Sequence, residues 1–168
     1  MAPDPLVAGL PAHALVLLVG PSGAGKSSWA AARFEPEQVL SSDVFRLWVA
    51  GHAADQSANA DAFKVLHAIA RARLRRGLLT VIDATNLTRR ARRALLSLAE
   101  GERRPVVAVA FDLTFERCLA QNAARPDRRV PDDVIHRQVH EMADALAQLP
   151  AEGYAEVHLI RDAEMDGA

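Results

Sequence analysis

The chain has 168 residues, half of them hydrophobic and 24% charged, which bounds it to one globular domain with a single substantial core. A formal net charge of −1 means that any polyanionic partner must be held by a local basic patch, not by the charge of the whole chain. The single cysteine, Cys118, excludes an intrachain disulfide and a Cys-based zinc site, and it reads as a small buried hydrophobe.

Residues 1–12 hold Pro3, Pro5 and Pro11 and little pattern, so a flexible lead-in is expected there, with the domain proper at 13–168. The N-terminus lacks the basic start of a signal peptide and no apolar run approaches a membrane span. A cytoplasmic chain without membrane contact is expected. The apolar run 13–19 predicts a strand, followed by Gly20-Pro21-Ser22-Gly23-Ala24-Gly25-Lys26-Ser27 and a helix to about residue 33. The octet matches G-x-x-x-x-G-K-[ST], and a strand–loop–helix context is what that phosphate-binding motif requires. Glycines let the backbone curl around an anion with its N–H groups pointing inward; Lys26 adds a cation for the β- and γ-phosphates, and Ser27 a hydroxyl for Mg²⁺. The donor-binding set is therefore Gly20, Ser22, Gly23, Ala24, Gly25, Lys26, Ser27 and Ser28.

Residues 38–41 predict a short second strand running into Asp43 and a helix over about 43–49; 51–59 reads as loop. Phe63, Leu66, Ile69 or Ala70, and Leu74 share one face of a helix over 59–76, with Gly77 at its cap. Residues 78–82 predict a third strand ending at Asp83-Ala84-Thr85-Asn86. Thr88 caps a helix over 89–100, residues 105–111 form a fourth strand, and Thr114 caps a helix over 115–124. A proline-bounded basic loop, 125–131, precedes a helix from Asp132 to about 149 and a last strand over 154–160. Apolar strands alternating with helices predict an α/β fold, a five-stranded parallel sheet flanked by helices, with its ligand beyond the carboxyl ends of the strands.

Asp43 follows the second strand and should face the phosphate loop. It is a candidate general base for an acceptor hydroxyl, a role worth roughly 10²–10⁴ in rate, or else a helix N-cap. Arg46, one turn on, is placed to hold an anionic group of the acceptor. Asp83 is a candidate to hold a Mg²⁺-bound water, with Asp112 as its rival and a turn carboxylate as the plainer reading. Thr85 and Asn86 either tie the crevice loop together or touch the acceptor. Arg125, Arg128 and Arg129 form a candidate lid over the γ-phosphate. Arg89, Arg90, Arg92 and Arg93 stand at a helix start, where cations oppose the helix dipole, which makes them a candidate phosphate-binding surface.

Together these motifs resemble the 5′-hydroxyl polynucleotide kinase family. The matching stretches are 17–27, 39–43, 61–67, 79–86, Arg92, 107–109, 125–128 and 153–154, so the likeness covers nearly the whole chain. The resemblance implies a kinase-type phosphate-loop NTPase fold and Mg²⁺-dependent transfer of phosphate from ATP, or another NTP, to 5′-OH ends of RNA or DNA. It implies Lys26 and Ser27 on phosphates and Mg²⁺, Asp43 as base, Arg46 near the acceptor phosphate and Arg125 as lid arginine. The family has a second lid arginine where this chain has Gln121; Arg117 or Arg128 would compensate, or the nucleotide contacts differ. The relatives also carry phosphatase and ligase domains, so the chain is expected to be an excised domain or a stand-alone kinase, and as an isolated domain a monomer. A small-metabolite or antibiotic phosphotransferase on the same fold is the alternative. An acceptor-free nucleotide switch is the third reading, weakened by the lack of a guanine-reading Asn-Lys-x-Asp.

Overall fold

The computed structural model describes residues 4–125 and 129–165. Strands β1 (Leu15–Val19), β2 (Val39–Ser41), β3 (Thr80–Asp83), β4 (Val106–Asp112) and β5 (Glu156–Arg161) form one sheet in the order β2-β3-β1-β4-β5. Every pairing is parallel. The helices are α1 (Pro5–Gly9), α2 (Lys26–Ala31), α3 (Ser42–Ala50), α4 (Asn59–Arg75), α5 (Arg89–Gly101), α6 (Phe115–Ala123), α7 (Asp132–Gln148) and α8 (Asp162–Met165). Among the described residues no helix is long and apolar enough to cross a membrane.

β1 is buried at every position because it lies mid-sheet with helices on both sides. Successive residues of a strand point to opposite faces, and the core divides accordingly. Leu15, Leu17 and Val19 pack with Leu66, Leu74, Leu95 and Met142 on one face. Val16 and Leu18 pack with Trp29, Phe111, Cys118 and Ile135 on the other. The face of α4 is Ala62, Leu66, Ala70 and Leu74, with Phe63 and Ile69 packed at its margin. Thr88 and Thr114 cap α5 and α6 as their sequence positions predict. β5 differs from an apolar core strand: it is an edge strand, half-exposed along its length, so only alternate residues need be apolar.

The lead-in is more attached than its prolines suggest. Asp4 caps α1 through the Leu6 N–H at 2.9 Å and pairs with Arg33 at 2.5 Å, while Leu6, Val7 and Leu10 pack onto the second core face.

Arg92 does not belong to a phosphate-binding surface. It is fully buried and gives Glu152 a bidentate pair at 2.8 and 2.7 Å. Its remaining N–H groups reach Gln148 Oε1 and the Asn86 and Leu87 carbonyls. Glu152 also stands 4.0 Å from Arg89, which explains how cations are tolerated at the start of α5: a carboxylate from beyond α7 supplies the negative charge the helix dipole wants there. Burial alone would raise the Glu152 carboxyl, but the hydrogen bonds and charge of Arg92 outweigh it and hold the group below its ordinary value.

Breaking a buried ion pair from one side strands the other charge. Arg92→Ala should therefore lower unfolding free energy by about 3–5 kcal/mol in a denaturant titration. Because the folded pKa of Glu152 is depressed, its contribution is complete above its ordinary value of 4.5 and fades as pH falls through the lower folded value. Glu152→Gln should flatten that acid limb.

Candidate active site

The phosphate loop follows the central strand and is moulded by α6. Gly23 has φ +81°, and a Cβ there would stand 2.3 Å from the Cys118 carbonyl oxygen. Gly25 has φ +76°, with Gln121 Oε1 3.2 Å and Met165 3 Å or less from where a Cβ would sit. Only glycine, which has no Cβ, accepts both a left-handed backbone and so close an approach. Cys118 is buried against the loop, and burial pushes its thiol up to about 11, in keeping with a packing role.

The remaining groups arrive by register. Ser41 on β2 lies level with Asp83 on β3, and β3 lies beside β1. The residues just past β2 and β3 therefore meet the phosphate loop across one crevice, of about 480 Å³, within the size range of small-molecule sites. Lys26, Ser27, Asp43, Asp83, Arg125 and Thr85 all line it. Ser27 Oγ donates to Asp83 Oδ2 at 2.7 Å. That places Asp83, and not Asp112, beside the loop; Asp112 faces Arg161 on β5 at 3.7 Å. A hydroxyl and a carboxylate so close are an oxygen pair of the kind Mg²⁺ takes, so the residues fit the ion.

Lys26 is 6% exposed, and its Nζ donates to the Gly20 and Pro21 carbonyls at 2.9 and 2.7 Å. Burial pulls its pKa down to about 8, with Asp83 opposing and Arg125 reinforcing the shift.

Asp43 lies in the first turn of α3, whose N-cap is Ser41, so it is not the cap. Arg46 is paired with it. Arg46 also donates from Nε to the Ala53 carbonyl and from Nη1 to Asn59 Oδ1, both at 2.8 Å. The Arg46 guanidinium thus holds Asp43 against the loop 51–58, and Arg46 also lines the crevice. Asn86 does not line the crevice. It is buried at φ +49°, with Nδ2 on the Leu18 carbonyl at 2.8 Å, and so ties β3's exit to β1; Thr85 takes the Gly20 N–H through its carbonyl and does line the crevice.

Of the lid residues, Arg125 and Arg129 border the crevice, while Arg128 lies outside the described residues. Arg117 donates to the Asp162 carbonyl at 3.1 Å and so fastens α6 to α8. Arg137 and Gln138 on α7 line the crevice as well; no motif singles them out, and Gln138 reaches the loop only through the fold.

A loop of this form, a lysine on its carbonyls, a serine on an acidic strand end and a second carboxylate across the crevice define a phosphate-loop NTPase of kinase type. A family model described as an AAA domain matches residues 15–149, and the chain belongs to that family. None of the curated proteins matches it. Among solved structures, a chain of the Pnkp1/Rnl/Hen1 RNA repair complex is 22% identical with a TM-score of 0.68 over 80% of this chain and 45% of that one. A chain of the AvrRxo1-ORF1:ORF2 complex with ATP is 19% identical, TM-score 0.63, over 88% and 54% respectively. A gluconokinase from Sinorhizobium meliloti 1021 is 19% identical, TM-score 0.55, over 90% and 84%. The chain thus spans about half the length of the first two. These likenesses establish a fold shared with kinases.

Phosphates placed against Lys26 should draw its pKa back up from about 8, so nucleotide binding takes up a proton above that pH. Affinity should be flat in this group below pH 8, then fall by up to about tenfold per unit as pH rises toward 10.5. Lys26→Met should bind weakly and lose that slope; calorimetry across pH checks both.

Proposed function

We propose that the chain transfers the γ-phosphate of ATP, or of another nucleoside triphosphate, to the 5′-hydroxyl end of RNA or DNA. The observation that carries the reading is Asp43, clamped by Arg46 and lining the same crevice as Lys26, Ser27 and Asp83. A carboxylate held opposite a phosphate loop, and not spent as a helix cap, is what an acceptor hydroxyl needs in order to be aligned and relieved of its proton.

The loop N–H groups and Lys26 bind the donor phosphates, and Ser28 follows them on α2 as a further donor contact in this reading. Ser27 and Asp83 would hold Mg²⁺, which when bound neutralises charge on the β- and γ-phosphates. Asp43 accepts the proton of the acceptor hydroxyl as its oxygen bonds to the γ-phosphorus and the bond to the β-phosphate oxygen breaks. Arg46 positions Asp43. Arg125 faces the transferring phosphate, where arginines are worth roughly 10³–10⁵ in rate; Arg128 belongs to the same loop in this reading. Gln121, against Gly25, offers an uncharged amide to the nucleotide where the resembled family has a cation.

The acceptor class rests on the joint presence of Ser-Ser-Asp at 41–43, Asp-Ala-Thr-Asn at 83–86 and the basic loop from Arg125, together with the fold shared with a chain of an RNA repair complex. In this reading the 5′-phosphate product feeds a ligase, and a phosphatase treats the opposite end. The likeness to a gluconokinase over most of both chains favours a second reading, a small polyol as acceptor.

Labelled ATP with Mg²⁺ should mark a 5′-OH strand and not the same strand bearing a 5′-phosphate. Asp43→Asn should lower that transfer by roughly 10²–10⁴ while ATP affinity holds. Full activity in Asp43→Asn would remove Asp43 as the base. Arg46→Lys should not restore what Arg46→Ala loses, because a lysine cannot bridge Asp43, Ala53 and Asn59 at once.

A further inference from the structure

One donor of the phosphate loop already has a partner. The Ser22 N–H donates to Gln138 Oε1 at 2.7 Å, across 116 residues of sequence. Gln138 lies one turn from Ile135 and one from Met142 on α7, and those residues pack into the two core faces. The core therefore delivers this amide to the loop, and a neutral oxygen stands where an anion's oxygen would otherwise sit.

Ser22, like Lys26 and Ser27, opens onto the crevice. It lines the crevice together with Asp43 and Arg125, whereas Gly23 and Gly25 are turned toward Cys118 and Gln121. A terminal phosphate entering the crevice would therefore approach Ser22 and its N–H. Arg125, Arg129 and Arg137 border the same space, so a phosphate arriving there meets cations on several sides, while the Gln138 oxygen brings only a dipole.

We propose that Gln138 is a specificity-determining residue that competes for the terminal-phosphate donor: its carbonyl occupies the Ser22 N–H in the nucleotide-free chain and yields it to the γ-phosphate of a triphosphate, but not to a diphosphate. The competition lowers the affinity for triphosphate and leaves diphosphate affinity untouched, so that Gln138 sets the balance between donor and product. This rests on the donor half of the function proposed above and is independent of the acceptor.

The test is calorimetric, without acceptor, using ADP and the β,γ-imido analogue of ATP with Mg²⁺. Gln138→Met keeps length and packing but removes the oxygen. It should tighten triphosphate binding about three- to tenfold, the worth of one neutral hydrogen bond, with ADP affinity and melting temperature unchanged. Gln138→Glu should do the reverse, weakening the triphosphate at least tenfold more than ADP, because a carboxylate holds the N–H more strongly and repels the incoming phosphate. Unchanged or weakened triphosphate binding in Gln138→Met, or an equal change for both nucleotides, would overturn the proposal. Loss of 5′-OH phosphorylation with these binding ratios intact would instead count against the acceptor reading alone.

Discussion

The close seat of the phosphate loop on α6 is the constraint on which the site depends. With 2.3 Å between the Cys118 carbonyl and the position of a Gly23 Cβ, the loop backbone lies directly on the helix. Its N–H groups can converge on an anion only because nothing stands between loop and helix at that point. Thr114 caps α6, Cys118 buries its inner face, and Asn122 ties its last turn to Val130 through two hydrogen bonds. Through that chain of contacts, the basic residues after α6 and the start of α7 hang on the same scaffold that shapes the loop.

A second balance is electrostatic. A buried lysine on two carbonyls is uneasy without an anion, which is why burial draws its pKa down while Asp83 partly restores it. Asp83 in turn is bonded to Ser27, and Asp43 is clamped to Arg46. The crevice thus holds cations and carboxylates already paired with fixed partners. Such preorganisation means that little has to rearrange when a phosphoryl group is transferred. At the edge of the crevice Arg129 and Arg137 are exposed, and their long pairs with Asp132 and Glu141, at 3.8 and 4.0 Å, lie in solvent.

The centre of the site was legible in the sequence because its parts are local. A buried strand ending in Gly20, a glycine loop and a helix at Lys26 need no distant partner to be recognised, and the continuous apolar runs of β3 and β4 place Asp83 and the sheet around them. Other residues are not legible locally, because what fixes them lies far along the chain. Arg92 looked like a phosphate ligand because it sits among arginines; its partners Gln148 and Glu152 are 56 and 60 residues away, and nothing local shows them. Arg46 was placed correctly beside Asp43, but the wrap of Ala53 and Asn59 around it depends on how the loop 51–58 closes. Asn86 was read as either tie or ligand, and its left-handed backbone and bond to Leu18 make it the tie. Gln138 carried no signal at all, since a glutamine on an amphipathic helix is ordinary until the fold brings it to Ser22.

What the chain phosphorylates is the central question, and acceptor competition addresses it most directly. A short 5′-OH RNA or DNA strand and gluconate would be offered together with labelled ATP and Mg²⁺, and kcat/KM compared for each. The expected result is label on the 5′ end of the strand, with gluconate neither labelled nor competing. Label on gluconate with the strand ignored would leave the phosphate loop and Asp43 in their roles and contradict the polynucleotide acceptor.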